Sequence, residues 1–185
     1  MFTIKEVLTM EVAPALGCTE PVAIALGAAA AASLLEGEVT HIDVAVDPNI
    51  YKNGLAVSIP GTEGLSGLDT AAAIGAVAGD PSLRLEVLDP VDDRAVASAQ
   101  QLIHDGIVDV HLLADHQGLY IHTTVTSGTD RAECIIQDSH DNIVALRLNG
   151  RELSDHPLLS AEEGPQGHSR ADLEAWLKTL SLKDI

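Results

Sequence analysis

The sequence predicts an α+β domain in which Ala-rich helices pack on one face of a mainly antiparallel sheet. The first half of the chain mixes long runs of small apolar residues with short alternating segments. The second half is a succession of short strand-like segments separated by turn residues. Strands that follow one another closely after mixed elements are typical of α+β folds rather than of alternating α/β folds.

Composition narrows the class of protein. The 185-residue chain is 46% hydrophobic but holds one Phe, one Trp and two Tyr, so a core of Ala, Val, Leu and Ile is expected. The formal net charge of −18 argues against nucleic acid and against an anionic membrane surface, because both require clustered Lys and Arg. The amino terminus lacks the pattern of a secretory signal and two cysteines make no disulfide framework, so we expect a cytoplasmic protein.

The first elements are predicted to be helices. A short helix covers Ile4 to Val12. A second helix begins at Thr19, a good N-cap, with Pro21 in its first turn, and continues to about Glu36, where Gly37 ends it. Because the second helix is apolar on nearly every side, it should be buried all round.

The next segments predict a strand, a hairpin and a helix. Residues Val39 to Val46 alternate between apolar and polar side chains, as a half-buried strand does. The pair Asn53-Gly54 is a hairpin turn signal, which predicts a second strand from Leu55 to Ile59. Another helix of small residues follows from about Leu68 to Ala78.

The remainder is predicted to be strands around one helix. Asp92 or Asp93 caps that helix, which runs to about His104. The turn Ser127 to Asp130 joins two of the strands as a hairpin. The predicted strands are Leu83–Leu88, Val108–Leu113, Leu119–Thr126, Arg131–Gln137 and Ile143–Leu148.

The chain is expected to divide near residue 150. Residues 1–150 form the predicted amino-terminal α+β domain, and residues 151–185 a linker with a C-terminal helix. The segment Arg151 to Gly167 is polar and contains prolines and glycines, as linkers do. Ser169, with Asp172 three residues later, forms a predicted capping box for the last helix.

The most informative motif is PALGCTEP, at Pro14 to Pro21. It places a thiol, a hydroxyl and a carboxylate at the start of a buried helix, where free N–H groups and the helix dipole favour negative charge. A thiolate at Cys18 is expected to be stabilised there, which lowers the pKa of its thiol. The same position would hold a substrate carboxylate. The alternative interpretation is a buried cysteine before an ordinary helix.

PALGCTEP followed by an Ala-rich helix resembles the opening of the L-cysteine desulfidases, a family related to the iron–sulfur L-serine dehydratases. Further segments support the resemblance in the same order along roughly residues 5 to 150. These segments are PNIYKNGL at Pro48–Leu55, IPGTEG at Ile59–Gly64, the Ala-rich GLDTAAAIGAVAGD, LEVL at Leu85–Leu88, and HDNIV from His140 before the Asn149-Gly150 turn.

The resemblance implies a β-eliminating lyase that removes sulfide or water from an amino acid and yields pyruvate and ammonia. Such enzymes use a [4Fe–4S] cluster as a Lewis acid, held by cysteines of a carboxy-terminal half. This chain has only Cys18 and Cys134, so no cluster is expected in it alone. The implied partners are a small amino-acid substrate and a missing carboxy-terminal Fe–S domain or subunit, and a homo-oligomer is left open. The chain by itself is expected to be inactive.

By resemblance, Cys18 is the catalytic candidate, either as the base at the substrate α-carbon or in contact with the cluster. The remaining candidates would bind substrate, and for them ordinary capping and turn chemistry is the alternative. They are Thr19, Glu20, Asn49, Lys52, Asn53, Gly61, Thr62, His140 and Asn142. No metal site is predicted at His111, His116 and His122, whose spacings match no common zinc pattern.

Two rival functions stay open from the sequence. A stand-alone regulatory or sensor domain would bind an amino acid without converting it. A purely structural assembly domain would bind no ligand, and Trp176 would then serve to dock a partner.

Overall fold

The structure is a computed structural model that describes residues 2–160 and 170–181. The chain divides into two compact units. The smaller unit contains helix α1 (Ile4–Glu11) and helix α6 (Arg170–Leu177), and within it the rings of Phe2 and Trp176 lie 5.4 Å apart. The capping box predicted at Ser169 falls outside the described residues.

The larger unit, Ala15–Ser160, holds the remaining helices and a six-stranded sheet. Its helices are α2 (Thr19–Ala32), α3 (Pro48–Gly54), α4 (Leu68–Ala78) and α5 (Asp93–His104), with a 3-10 segment at Pro81–Glu86. Its strands are β1 (His41–Val46), β2 (Val108–Leu112), β3 (Tyr120–Ser127), β4 (Asp130–Gln137), β5 (Ile143–Leu148) and β6 (Arg151–Glu152).

The sheet is mainly antiparallel, as the sequence predicts. Its strand order is β2-β1-β3-β4-β5-β6, and only the β1–β2 pair is parallel. One face is apolar and packs against helix α2, which contacts β3, β4 and β5. In β1 the alternation is direct: Ile42, Val44 and Val46 are buried, while the residues between them are half-buried. The predicted α+β class is confirmed.

Helix α2 is the centre of the core. Every residue from Pro21 to Ala31 is buried, so the prediction of an all-round buried helix is confirmed. Helix α4 lies against it so closely that a Cβ added at Gly75 would stand 2.6 Å from the Cα of Ala25. Small residues are therefore a geometric requirement at this crossing. Within the described residues, no helix combines the length and the hydropathy that crossing a membrane requires.

Several predicted elements are confirmed with small shifts. Helices α1, α4 and α5 and strands β1 to β5 lie where the sequence places them. Helix α2 differs at both ends: its N-cap is Cys18 rather than Thr19, and it ends at Ala32 rather than near Glu36. The short strand β6 lies in the segment that reads as linker, and it pairs with β5.

Two predicted strands are wrong. The hairpin expected at Asn53-Gly54 is instead the end of α3, because Asp47 caps that helix and Pro48 begins it. Gly54 does not adopt the left-handed conformation of such a turn. The segment expected as strand Leu83–Leu88 is mostly the 3-10 segment, which Asp80 caps through the amide of Ser82.

The α2–α4 crossing yields a stability prediction. Gly75→Ala should lower the free energy of unfolding by about 1–3 kcal/mol, because the new methyl group meets backbone that cannot rotate away. Chemical denaturation measures the loss. Gly27→Ala is the matched variant: its methyl would meet the Oγ1 of Thr123 at 2.9 Å. Among the described residues that hydroxyl has no hydrogen-bond partner to lose, so a smaller loss is expected. Equal losses in the two variants would contradict the close-crossing explanation.

Candidate functional site

A cleft of about 310 Å³ lies in the larger unit, beside the end of β1 and the start of β3. It is small for a ligand site and would suit a molecule of a few heavy atoms. Its walls come from the start of α2, the β1–α3 junction, the loop before β3 and the loop after β4. The lining residues are Glu20, Asp47, Asn49, Ile50, Asn53, Leu119 and His140.

Glu20 is the central polar group of the cleft. Helix α2 begins one residue before it, so its carboxylate lies beside the first turn of that helix. The thiol of Cys18 donates to its Oε2 at 3.1 Å, and the side-chain amide of Asn53 donates to its Oε1 at 3.2 Å. Both carboxylate oxygens therefore have a donor, one from the N-cap of α2 and one from α3.

These contacts keep Glu20 ionised. Partial burial by itself would raise the pKa of the Glu20 carboxyl. The hydrogen bonds from Cys18, from the local backbone amide and from Asn53, together with the charge of nearby His140, outweigh burial and hold that pKa below its ordinary value. The cleft thus contains a fixed negative charge at neutral pH.

Cys18 contradicts the expectation of a lowered pKa. The hydrogen bond that its thiol donates to Glu20 raises the pKa of Cys18, and partial desolvation and the charge of Glu20 act in the same direction. The backbone amides of Glu20 and Thr19 act the other way but are weaker. The sulfur is exposed at the helix start, as the motif predicts, but its proton is retained because the adjacent carboxylate outweighs the helix terminus.

Asp47 forms a rigid wall of the cleft. Its side chain is fully buried, yet three backbone amides satisfy it. Its Oδ1 accepts from Asn49 at 2.8 Å and from Ile50 at 3.3 Å, and its Oδ2 accepts from Tyr120 at 2.9 Å. One carboxylate therefore ties β1, the start of α3 and the start of β3 together, and it fixes the positions of Asn49 and Ile50.

The structure brings half of the predicted site residues together. Cys18, Glu20, Asn49, Asn53 and His140 meet at or beside the cleft. The backbone amide of Thr19 lies near the sulfur, but its side chain does not line the cleft.

The other predicted residues lie elsewhere. Lys52 is exposed on α3 and does not line the cleft. Gly61 and Thr62 lie in a turn, and the hydroxyl of Thr62 donates to the carbonyl of Ile59 at 2.7 Å, so it serves the local fold. Asn142 donates its side-chain amide to the carbonyl of Gln137 at 2.8 Å and closes the β4–β5 turn.

Sequence reasoning missed Asp47, Ile50 and Leu119. For Asp47 a signal was present, since Asp directly before Pro is typical of a helix start. The hairpin signal at Asn53-Gly54 concealed it. Leu119 gave no local signal, because only the antiparallel pairing of β1 with β3 brings it to the cleft.

A [4Fe–4S] cluster does not fit the residues that the structure describes. Cys134 is fully buried in β4, and burial raises the pKa of its thiol to about 12, which disfavours the thiolate that a cluster ligand requires. Within residues 2–160 and 170–181, no three His, Cys, Asp or Glu side chains are arranged to hold a metal ion.

The chain is similar along its whole length to proteins named UPF0597. It is 52% identical over 186 residues to one from Desulfatibacillum aliphaticivorans and 52% identical over 185 residues to one from Desulfotalea psychrophila. In both cases the match covers 100% of this chain and 42% of the relative. A protein from Geobacter sulfurreducens is 42% identical over 159 residues, which is 85% of this chain and 37% of the relative.

The chain thus spans less than half the length of these relatives. No family model and no solved structure matches it. The resemblance to L-cysteine desulfidases and iron–sulfur L-serine dehydratases is overturned, because the relatives that match the whole chain are named UPF0597 proteins and not by either activity. The short motifs were too few to identify a family by themselves. What the comparisons establish is similarity to the amino acid sequences of UPF0597 proteins.

Proposed function

We propose that the cleft binds a small amino acid, with the carboxylate of Glu20 accepting the ligand's ammonium group. The observation that supports this most directly is the ionised Glu20, whose two oxygens are held in place by Cys18 and Asn53. A fixed carboxylate in a small, partly apolar cleft is suited to one ammonium group.

The rest of the lining fits the remaining parts of such a ligand. His140 and the side-chain amide of Asn49 are the donors available to a carboxylate. Ile50 and Leu119 provide an apolar surface for a short side chain. The volume of about 310 Å³ favours small amino acids over large ones. On this basis the domain is an amino-acid-binding module.

Two further features support proposals about the location of this module and about its partner. Both cysteines are free, which supports the proposal of a cytoplasmic location. Because the chain spans 42% of its relatives, we propose that the rest of such a longer chain is its partner.

Calorimetric titration with L-serine or L-cysteine tests the binding proposal. Glu20→Gln should weaken binding at least about tenfold, because it replaces a charged hydrogen bond by a neutral one. Glu38→Gln, at an exposed glutamate away from the cleft, is the matched control and should bind like the parent. L-Lactate, which lacks the ammonium group, should bind far more weakly than L-serine. Equal affinity for L-serine and L-lactate, or an unchanged affinity in Glu20→Gln, would contradict the proposal.

The Cys18–Glu20 hydrogen bond yields a second prediction. Glu20→Gln removes the negative charge beside the sulfur, so the pKa of Cys18 should fall and its alkylation by iodoacetamide at about pH 8 should accelerate about threefold or more. Mass spectrometry of the labelled peptide reports the rate for Cys18 apart from buried Cys134. Glu38→Gln should leave the rate unchanged. A slower reaction in Glu20→Gln would show that the carboxylate does not hold the thiol protonated.

A β-eliminating lyase is the second candidate, favoured by the same thiol–carboxylate pair. In such a reaction a base takes the α-proton, the Cα–Cβ double bond forms, and the β-substituent leaves with its bonding electrons as hydroxide or hydrosulfide, which the protonated base converts to water or hydrogen sulfide by returning the proton. The ammonium of a bound substrate would partly cancel the charge of Glu20 and so favour the thiolate of Cys18. Cys18 would then act as the base, and Glu20 as the relay for its proton.

Exchange of the α-proton separates binding from this chemistry. In D₂O, proton NMR should show loss of the L-serine α-proton signal in the presence of the protein if Cys18 and Glu20 form the base. Cys18→Ala should then bind L-serine but lose exchange, and Ser33→Ala, at an exposed serine of the other end of α2, should retain both. If the parent protein binds L-serine without exchange of the α-proton, the lyase is refuted for this chain and the binding module is supported.

A further inference from the structure

The side chain of Asn53 has an oxygen that its contact with Glu20 leaves unused. The Nδ2 of Asn53 donates to the Oε1 of Glu20 at 3.2 Å. An ionised carboxylate has only acceptors, so the amide nitrogen of Asn53, and not the amide oxygen, must face it. The orientation of the amide is therefore fixed, and among the described residues no donor reaches the Oδ1 of Asn53.

The backbone at Asn53 is fixed on both sides. Asn53 lies in the last turn of α3, and the start of that helix is tied down by Asp47, which accepts from two of its backbone amides. The next residue, Gly54, is buried, and a Cβ added there would meet the side chain of Leu68. Because this short helix is held at both ends, the free oxygen of Asn53 has a defined place beside Glu20.

Glu20 and Asn53 together offer two neighbouring acceptors to a ligand. The Oδ1 and Nδ2 of Asn53 belong to one planar amide, so the oxygen lies next to the nitrogen that contacts Glu20. Asn53 is exposed, and water can reach this oxygen while the cleft holds no ligand. A ligand that covers the oxygen displaces that water and must supply a donor in its place, because an acceptor that is covered and left unpaired costs affinity.

An ammonium group has enough donors for both acceptors. A primary ammonium carries three N–H groups, so one can bind the carboxylate of Glu20 and a second can bind the Oδ1 of Asn53. Each methyl group added to the nitrogen removes one N–H but leaves the positive charge in place. Attraction to the charge of Glu20 alone therefore does not separate methylated from unmethylated ligands, whereas a second acceptor does.

We propose that Asn53 is a specificity-determining residue of the cleft, whose Oδ1 accepts a second N–H and so selects amino acids with at least two N–H groups on the ammonium. The inference rests on the proposed function, in which Glu20 accepts the first N–H. An N-methyl amino acid keeps two N–H groups and still serves both acceptors. An N,N-dimethyl amino acid keeps one, so either Glu20 or Asn53 is left without its donor.

Calorimetric titration with L-serine, N-methyl-L-serine and N,N-dimethyl-L-serine tests the inference on the parent protein. N,N-dimethyl-L-serine should bind at least about tenfold more weakly than L-serine, because it leaves one covered acceptor unpaired. Most of this loss should appear between the N-methyl and the N,N-dimethyl ligand, where the number of N–H groups falls below two. Equal affinity for L-serine and N,N-dimethyl-L-serine would overturn the inference.

Asn53→Leu separates the missing acceptor from a lack of space. Leucine has nearly the shape of asparagine but no acceptor, and Glu20 keeps its contact with Cys18 in this variant. L-Serine should bind more weakly than to the parent, and the affinity ratio of L-serine to N,N-dimethyl-L-serine should fall below about threefold, since no second acceptor remains to be left unpaired. A tenfold ratio that persists in Asn53→Leu would assign the selectivity to steric exclusion of the methyl groups and refute the role of Asn53.

Asn49→Leu is the matched control, because it makes the same change at the cleft asparagine that is proposed to face the ligand's carboxylate. It should weaken the binding of L-serine and of N,N-dimethyl-L-serine by the same factor and keep their ratio. Loss of the ratio in Asn49→Leu as well would contradict the assignment to Asn53. If the parent does not bind L-serine, the proposed function fails together with this inference. If it binds L-serine in a Glu20-dependent way but without selectivity, this inference alone fails.

Discussion

The close contact between the backbones of α2 and α4 is the constraint on which the rest of the larger unit depends. At Gly75 there is no room for a side chain against Ala25, so the two helices can cross there only if small residues line both of them. This crossing places α2 in the middle of the core with no solvent-exposed face from Pro21 to Ala31. A helix held on all sides has a fixed first turn, and that turn carries the polar groups of the cleft.

Precise placement of that turn matters because the cleft is built from several elements. A Cβ added at Gly54, at the end of α3, would meet the side chain of Leu68 on α4 and would stand 3.9 Å from the Cβ of Glu20, so the end of α3 approaches the start of α2. That approach brings Asn53 within hydrogen-bond distance of Glu20. On the other wall, buried Asp47 fixes the junction of β1 and α3 to the start of β3 through three backbone amides. Rigid neighbours on both sides are what allow so few groups to define a small site.

The sequence sufficed for the elements whose signals are local and consistent. The alternation in β1, the cap of α5 at Asp92 and the Ala-rich pattern of α4 each predicted the observed element. Prediction from the sequence failed where one residue type is compatible with two structures. Gly54 follows an asparagine, as hairpin glycines do, but in this fold it lies at the end of α3 and packs closely against its neighbours. The site was predictable in part, for a different reason. Residues in the motif were found, whereas Leu119 reaches the cleft only through pairing between distant segments.

The protonation of Cys18 shows why a motif does not determine chemistry. The start of a helix favours a thiolate, and this argument alone predicted a lowered pKa. A carboxylate two residues away accepts the thiol proton in a hydrogen bond, and this direct charged contact is stronger than the field of a few amides. In the proposed complex, an ammonium group bound to Glu20 would shift that balance towards the thiolate. By linkage the effect is reciprocal: if the ammonium favours ionised sulfur, ionised sulfur must favour the ammonium. Ligand affinity and the acidity of Cys18 would then be one coupled property of the start of α2.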